Sequence, residues 1–130
     1  MLTTLYDYRY RVLLGRFSGM LTPDDLAALR QAVIDCVTKE GPSRGLGDFS
    51  DVRTVAVPTN VFVTLGNQTS GMSHQQRVLV MPEPELFGLG RLYSTYQRLS
   101  GNLEPLVVSS LQEAYDALQM TEPNFQPRNF

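Results

Sequence analysis

Residues 77–81, Arg77-Val78-Leu79-Val80-Met81, are the stretch that decides the fold. The run is short, almost wholly apolar, and followed at once by Pro82. A continuous apolar run of about four to eight residues, bounded by a turn signal, is typical of a strand buried on both faces. Such strands occur mainly in parallel sheets that helices cover on both sides. The stretch therefore predicts a buried strand of an α/β domain.

Helix signals stand on either side of this strand. Upstream, Thr22 can cap a helix, Pro23 suits its first turn, and Gly41-Pro42 ends it. Three more helices are predicted, at 59–67, at 84–99 and after the cap residue Ser109 or Ser110. The apolar face of the helix at 84–99 is expected to comprise Leu89, Leu92, Tyr93, Tyr96 and Leu99.

Further strands are predicted at Thr3–Tyr8, Arg11–Phe17, Gly45–Ser50 and Leu106–Val108. Strands that alternate with helices imply right-handed crossovers and a largely parallel sheet. We therefore predict an α/β fold with a small mixed, mostly parallel sheet of four to five strands and about four helices. The opening pair of strands is expected to add an antiparallel edge.

One domain is expected over residues 1–120, followed by an extended tail at 121–130. The tail carries Phe125 and Phe130. We expect these two rings to cover an apolar groove of this chain or of a neighbouring one.

Composition limits the classes of function. The 130 residues carry a net charge of −2, which gives no long-range field to collect nucleic acid or an anionic membrane. The single cysteine, Cys36, excludes an internal disulfide and a cysteine-rich zinc site. No stretch approaches the roughly 20 apolar residues of a membrane span, and no basic, apolar leader opens the chain. A cytoplasmic protein is expected.

An ordered set of short motifs resembles a known family. The set comprises Phe17-Ser18-Gly19, Thr22–Leu26, Asp48–Val52, Phe87-Gly88-Leu89-Gly90-Arg91 and Ser110–Ala114. In order and spacing it resembles the STAS-like domains of bacteria, relatives of the anti-sigma-factor antagonists that are described as sharing a shape with lipid-binding domains of the CRAL-TRIO type.

The resemblance implies a small sheet with helices packed against it and a binding or regulatory role without catalysis. Such a role would be exercised through a protein partner or self-association. The phosphorylated antagonists carry an Asp-Ser-Ser-Gly motif. By position it would fall at Ala56-Val57-Pro58-Thr59, where neither the aspartate nor the acceptor serine is present. The phosphoserine switch is therefore not carried over.

A candidate ligand-binding surface lies at the carboxyl edge of the sheet, where α/β proteins tend to bind ligands. Its residues are Asp48, Ser50, Phe87, Gly88 and Arg91. Arg91 has two interpretations: an ion pair with Asp48 or Glu83, or recognition of an anionic headgroup or carboxylate. Gly88 and Gly90 either pack their helix close to the sheet or open a groove. Such a groove would suit a carrier or sensor of a small apolar or amphipathic ligand, which is the alternative to the interaction module.

No catalytic, metal or cofactor site is predicted. Cys36 is expected to be an inert core thiol and His74 an exposed loop histidine. A hydrolase that pairs His74 with Ser50 or Ser73 remains a third alternative, although no Gly-x-Ser-x-Gly motif is present. The Gly-x-Gly pairs at 45–47 and 88–90 lack the third glycine of a dinucleotide fingerprint. We therefore expect a non-enzymatic module.

Overall fold

A mixed six-stranded sheet carries four helices in a computed structural model that describes all 130 residues. The strands are β1 (Leu2–Asp7), β2 (Val12–Leu21), β3 (Arg44–Val55), β4 (Arg77–Val80), β5 (Leu106–Val108) and β6 (Gln126–Pro127). The helices are α1 (Pro23–Glu40), α2 (Thr59–Gly66), α3 (Pro84–Leu99) and α4 (Leu111–Leu118). The order of the strands across the sheet is β5-β4-β3-β2-β1-β6.

The parallel part of the sheet is built from β2, β3, β4 and β5. The apolar stretch that the sequence singles out, β4, lies between β3 and β5 and is parallel to both. β1 pairs with β2 and β6 with β1, both antiparallel, so the predicted antiparallel edge is present and wider than expected. The α/β class is confirmed.

The predicted count of four to five strands is wrong, because β6 adds a sixth. β6 has two residues, one of them Pro127, and carries no local strand signal. Proline lacks the N–H that a central strand needs but is tolerated at an edge, where β6 lies. This second antiparallel pairing also makes the sheet less parallel than predicted.

β2 and β3 run past the end of the other strands. Val80, the last residue of β4, pairs with Asp48, whereas β3 continues to Val55 beside Leu21 of β2. The predicted ends at Phe17 and Ser50 are therefore too early. Residues 50, 51, 53 and 54 are exposed and polar, which hid the strand from a search for buried apolar runs.

Side chains alternate between the two faces of the sheet. The α4 face is the side on which α4 packs. Its core comprises Val12, Leu14, Leu46, Val78, Val80, Val108, Ala114, Leu118 and Met120. The three-helix face is the side of α1, α2 and α3, and most of its core comprises Phe17, Leu21, Leu26, Phe49, Phe62, Met81, Leu86 and Val107.

The predicted helix caps are present. Thr22 Oγ1 accepts a hydrogen bond from the Asp25 amide at 3.3 Å, and the Asp25 carboxylate accepts one from the Thr22 amide at 3.1 Å. Ser110 Oγ accepts from the Glu113 amide at 3.2 Å, which identifies Ser110 rather than Ser109 as the cap of α4. Both caps provide a hydrogen-bond acceptor for a backbone amide that has no partner within the first turn of the helix.

The segment 121–130 folds back onto this chain. Phe125 packs against the α4-face core and stacks on Tyr115, with the ring centres 6.3 Å apart. Phe130 meets the edge of Tyr6 at 5.8 Å. The two rings therefore cover apolar surface of the chain's own sheet, as one of the two predicted arrangements required.

Candidate functional site

The predicted surface of five residues is split between the two faces of the sheet. Asp48 is buried on the α4 face, because Phe49 next to it points into the three-helix core. One Asp48 carboxylate oxygen accepts hydrogen bonds from the Ser50 amide at 3.0 Å and from Ser50 Oγ at 2.6 Å. The other lies 3.5 Å from Arg16 Nε. Asp48 and Ser50 thus form a small cluster with satisfied partners.

The remaining three residues of that surface lie on α3. Phe87 packs against the three-helix core, and Arg91 is exposed. Of the two interpretations of Arg91, the ion pair with Asp48 or Glu83 is not formed, and Asp48 meets Arg16 instead. The structure therefore does not bring all five residues together.

The two glycines of α3 differ. A Cβ on Gly88 would meet nothing within 4 Å, so close packing does not explain this glycine. A Cβ on Gly90 would lie 2.3 Å from Met81 Sδ, which agrees with the packing interpretation.

The groups considered for catalysis are dispersed. His74 is exposed, whereas Ser73 is buried and its Oγ accepts from the Ser70 amide at 2.6 Å. Cys36 is fully buried, as predicted, and burial raises the pKa of its thiol. No three side chains of His, Cys, Asp or Glu are grouped so as to hold a metal ion.

The three-helix face contains two adjoining cavities that sequence reasoning missed. The larger measures about 140 Å³ and the smaller about 100 Å³. Both lie between the helices and the strands β3 and β4, and most of their lining is apolar. The residues that line both are Leu29, Val33, Ser70, Leu79 and Tyr93.

Three glycines of the strands line the smaller cavity. Gly15 of β2 pairs with Gly47 of β3, and Gly45 lies two residues earlier on the same face of β3. A Cβ on Gly47 would lie 3.1 Å from side-chain atoms of both Leu79 and Phe49. Gly15, Gly45 and Gly47 line the smaller cavity only, whereas the sheet side of the larger cavity is lined by Phe49, Leu79 and Met81. The sequence signal for the smaller cavity was the Gly45-Leu46-Gly47 repeat, which leaves two positions on one face of β3 without side chains.

Arg77 of β4 lines the smaller cavity and is only 9% exposed. One terminal guanidinium nitrogen donates to Gln97 Oε1 at 2.9 Å and to the Tyr93 hydroxyl at 3.2 Å. The other donates to the carbonyl oxygens of Leu103, at 2.6 Å, and Ser73, at 3.4 Å. Nε is buried and has no hydrogen-bond partner.

None of these acceptors is a carboxylate. Charged side chains are rarely buried without an opposite charge, because the loss of hydration is costly. Burial accordingly lowers the pKa of the Arg77 guanidinium, and it raises the pKa of the adjacent Tyr93 phenol. Arg77 is an uncompensated buried cation beside a cavity.

The outer wall of the larger cavity is held by polar contacts. Arg30 of α1 is exposed and donates to Gln68 Oε1 at 2.9 Å, which joins α1 to the loop after α2. Gln97 of α3 donates to the carbonyl oxygens of Gly66, at 2.7 Å, and Gln68, at 2.8 Å. Arg30 and Arg77 are the charged residues of the two linings, and no Asp or Glu is among them.

Neither a protein-family model nor a curated protein matches this chain. None of its helices combines the length and the apolar character needed to cross a membrane. Its function is therefore inferred from the arrangement of its own residues.

Proposed function

We propose that the chain is a non-enzymatic module that binds a small apolar or amphipathic molecule in the cavities of the three-helix face. The observation that carries the proposal is the pair of adjoining, mostly apolar cavities between the helices and the sheet. Ligand sites are usually concave and mostly apolar, with a few polar groups that fix orientation. An apolar cavity of roughly 150 Å³ is known to hold one benzene ring. The larger cavity, at about 140 Å³, is of that size.

A neutral apolar probe tests this proposal. In an amide-resolved NMR titration of the purified protein with toluene, we expect shift changes at Leu29, Gly47 and Leu79. Val33→Phe places a ring in the wall common to both cavities and should weaken toluene binding by about tenfold or more, since the ring occupies the ligand's space.

Ile34→Phe is the matched control, because Ile34 is the next residue on α1, is 43% exposed, and lines neither cavity. It should leave the affinity unchanged. Toluene shifts that are absent, or that are the same in Val33→Phe as in the wild-type protein, would contradict the proposal.

A second candidate is the regulatory interaction module, with the STAS-like resemblance as its family and no phosphoserine switch. It is favoured by three exposed leucines, Leu99, Leu103 and Leu106, which follow one another from the end of α3 to the edge strand β5. Exposed apolar side chains beside an unpaired strand edge are typical of association surfaces. A cytoplasmic location suits the unpaired thiol of Cys36. The two candidates are compatible, since a ligand sensor can signal through a partner.

Light scattering as a function of concentration tests self-association. The wild-type protein should form a defined oligomer, and the double variant Leu103→Glu with Leu106→Glu should be monomeric. Met20→Glu is the control, because Met20 is exposed on a different part of the surface. A wild-type monomer at all concentrations would remove self-association through this edge.

A further inference from the structure

We propose that the ligand of the cavities is a small monocarboxylate whose charged group is neutralised by Arg77. This inference rests on the proposed binding function and names its ligand class. The apolar part of the molecule would occupy the cavities, and the carboxylate would lie at the β4 end of the smaller one, where Arg77 forms part of the wall.

The charge balance of the site supports an anion. Arg77 is buried, its four acceptors are neutral, and both linings lack acidic residues in a protein whose net charge is −2. An uncompensated buried cation destabilises the folded protein, and an anion beside it removes that cost. An anionic ligand is therefore favoured over a neutral ligand of the same shape.

The donor that remains free supports a carboxylate in particular. Arg77 holds one unpartnered N–H, at Nε, while its terminal nitrogens are engaged. A carboxylate oxygen accepts a charge-assisted hydrogen bond from a single N–H, so the one free donor suits a monocarboxylate. A phosphate dianion calls for more donors and a second cation nearby. The other lining cation, Arg30, is exposed and bound to Gln68.

The volumes set the size of the apolar part. The cavities of about 140 Å³ and 100 Å³ share a wall formed in part by Tyr93, whose hydroxyl accepts from Arg77 at 3.2 Å. If roughly 150 Å³ holds a single ring, the two together accommodate roughly ten non-hydrogen atoms. A one-ring aromatic acid or a short aliphatic acid has this size.

Phenylacetate and 2-phenylethanol form a matched pair of probes, one anionic and one neutral, with nearly the same shape. Dissociation constants for both are measured by NMR titration at neutral pH. In the wild-type protein we expect phenylacetate to bind about tenfold more tightly or better, since a hydrogen bond between charged groups is stronger than one between neutral groups.

Arg77→Met should abolish this preference, so that the ratio of the two dissociation constants falls to about one. Arg77→Lys, which keeps the charge but not the Nε donor, should retain part of the preference. Arg30→Gln is the matched control, since it removes the other cation of the lining and should keep the full preference.

The outcomes separate the two proposals. Equal affinities of the wild-type protein for the two probes would overturn the anionic ligand and leave the binding function standing. Binding of neither probe, together with no toluene shifts, would overturn both. A preference that survives in Arg77→Met would place the anion elsewhere and overturn the role of Arg77. If Arg77→Met does not fold, the wild-type ratio and Arg77→Lys still decide. Equal affinities of the wild-type protein for the two probes, or a preference that is undiminished in Arg77→Lys, reject the proposal.

Discussion

The two faces of one sheet are closed to very different degrees. On the α4 face, Val12 and Leu14 of β2 are fully buried beneath a helix of eight residues and the segment 121–130. On the three-helix face, Gly15 of the same strand lies beside Gly47, and two cavities lie between the sheet and the three helices that cover it. The face covered by more helix is the less completely filled one, so the amount of helix laid over a sheet does not decide how well that face is packed.

The strongest test of this contrast compares one leucine from each face. Leu14→Ala removes a fully buried side chain from the filled face and should lower the free energy of unfolding by about 4 kcal/mol. Leu79→Ala, at the half-buried wall of both cavities, should cost about 2 kcal/mol, since part of its surroundings is already empty. Urea denaturation followed by circular dichroism measures both. Equal losses would mean that the faces are packed alike.

A test of intermediate size removes what seals the filled face. Deleting residues 121–130 exposes the β1 edge, removes Phe125 from the filled face and removes Phe130 from the cluster around Tyr6 on the other face, and it should lower the free energy of unfolding by about 3 kcal/mol. The single variants Phe125→Ala and Phe130→Ala show how much of this loss of unfolding free energy comes from each ring. A deletion that costs less than about 1 kcal/mol would show that α4 seals the face alone.

The smallest effect concerns a phenol buried near the rim of the three-helix face. The Tyr6 hydroxyl lies 2.7 Å from Ser43 Oγ, and burial raises the pKa of Tyr6 above its ordinary value of 10.0. Above about pH 10 the unfolded chain releases this proton while the folded protein retains it, so stability falls as the pH rises toward the folded pKa.

Tyr6→Phe should therefore flatten the loss of stability above pH 10, without abolishing it, because burial also raises the pKa of Tyr93 and Tyr115. Thermal unfolding between pH 8 and about pH 11 measures the slope. Tyr8→Phe, at an exposed phenol, is the control. Parallel curves for Tyr6→Phe and the wild-type protein would exclude this role for Tyr6.

Local patterns predicted the elements whose signals are local. β4, the bounds of α3 and the Ser110 cap each depend on a few neighbouring residues, and the structure has them at those positions. The apolar face of α3 was less accurate: Leu99 is 66% exposed, whereas Gln97 is fully buried. Gln97 is buried because it donates to carbonyl groups of the loop after α2, a partner that α3 alone does not reveal.

The candidate site depended on tertiary structure to a greater extent. Side chains alternate along β3, so Asp48 and Phe49 point to opposite faces of the sheet. The separation of Asp48 from the core on the other face could therefore have been predicted from its position in the strand. The cavities could not. The smaller one lies where Gly15 meets Gly47 across two strands separated by α1, and the lining of the larger one comes from three helices and two strands. In the sequence, Arg77 is simply the first residue of a predicted strand. Its burial could not be foreseen, because its hydrogen-bond acceptors come from separate segments, at Ser73, Tyr93, Gln97 and Leu103.

The pairing of β6 with β1 has a consequence for the order of folding. Thr4 Oγ1 donates to the carbonyl oxygen of Arg128 at 2.6 Å, across a separation of 124 residues. Closing so long a loop costs more chain entropy than any other pairing in the sheet, and that cost falls once the strands between are assembled. We expect this edge to join last in refolding and to open first in native-state hydrogen exchange. Partial unfolding of the native protein would then begin with the detachment of β6, and β4 would be the last strand to open.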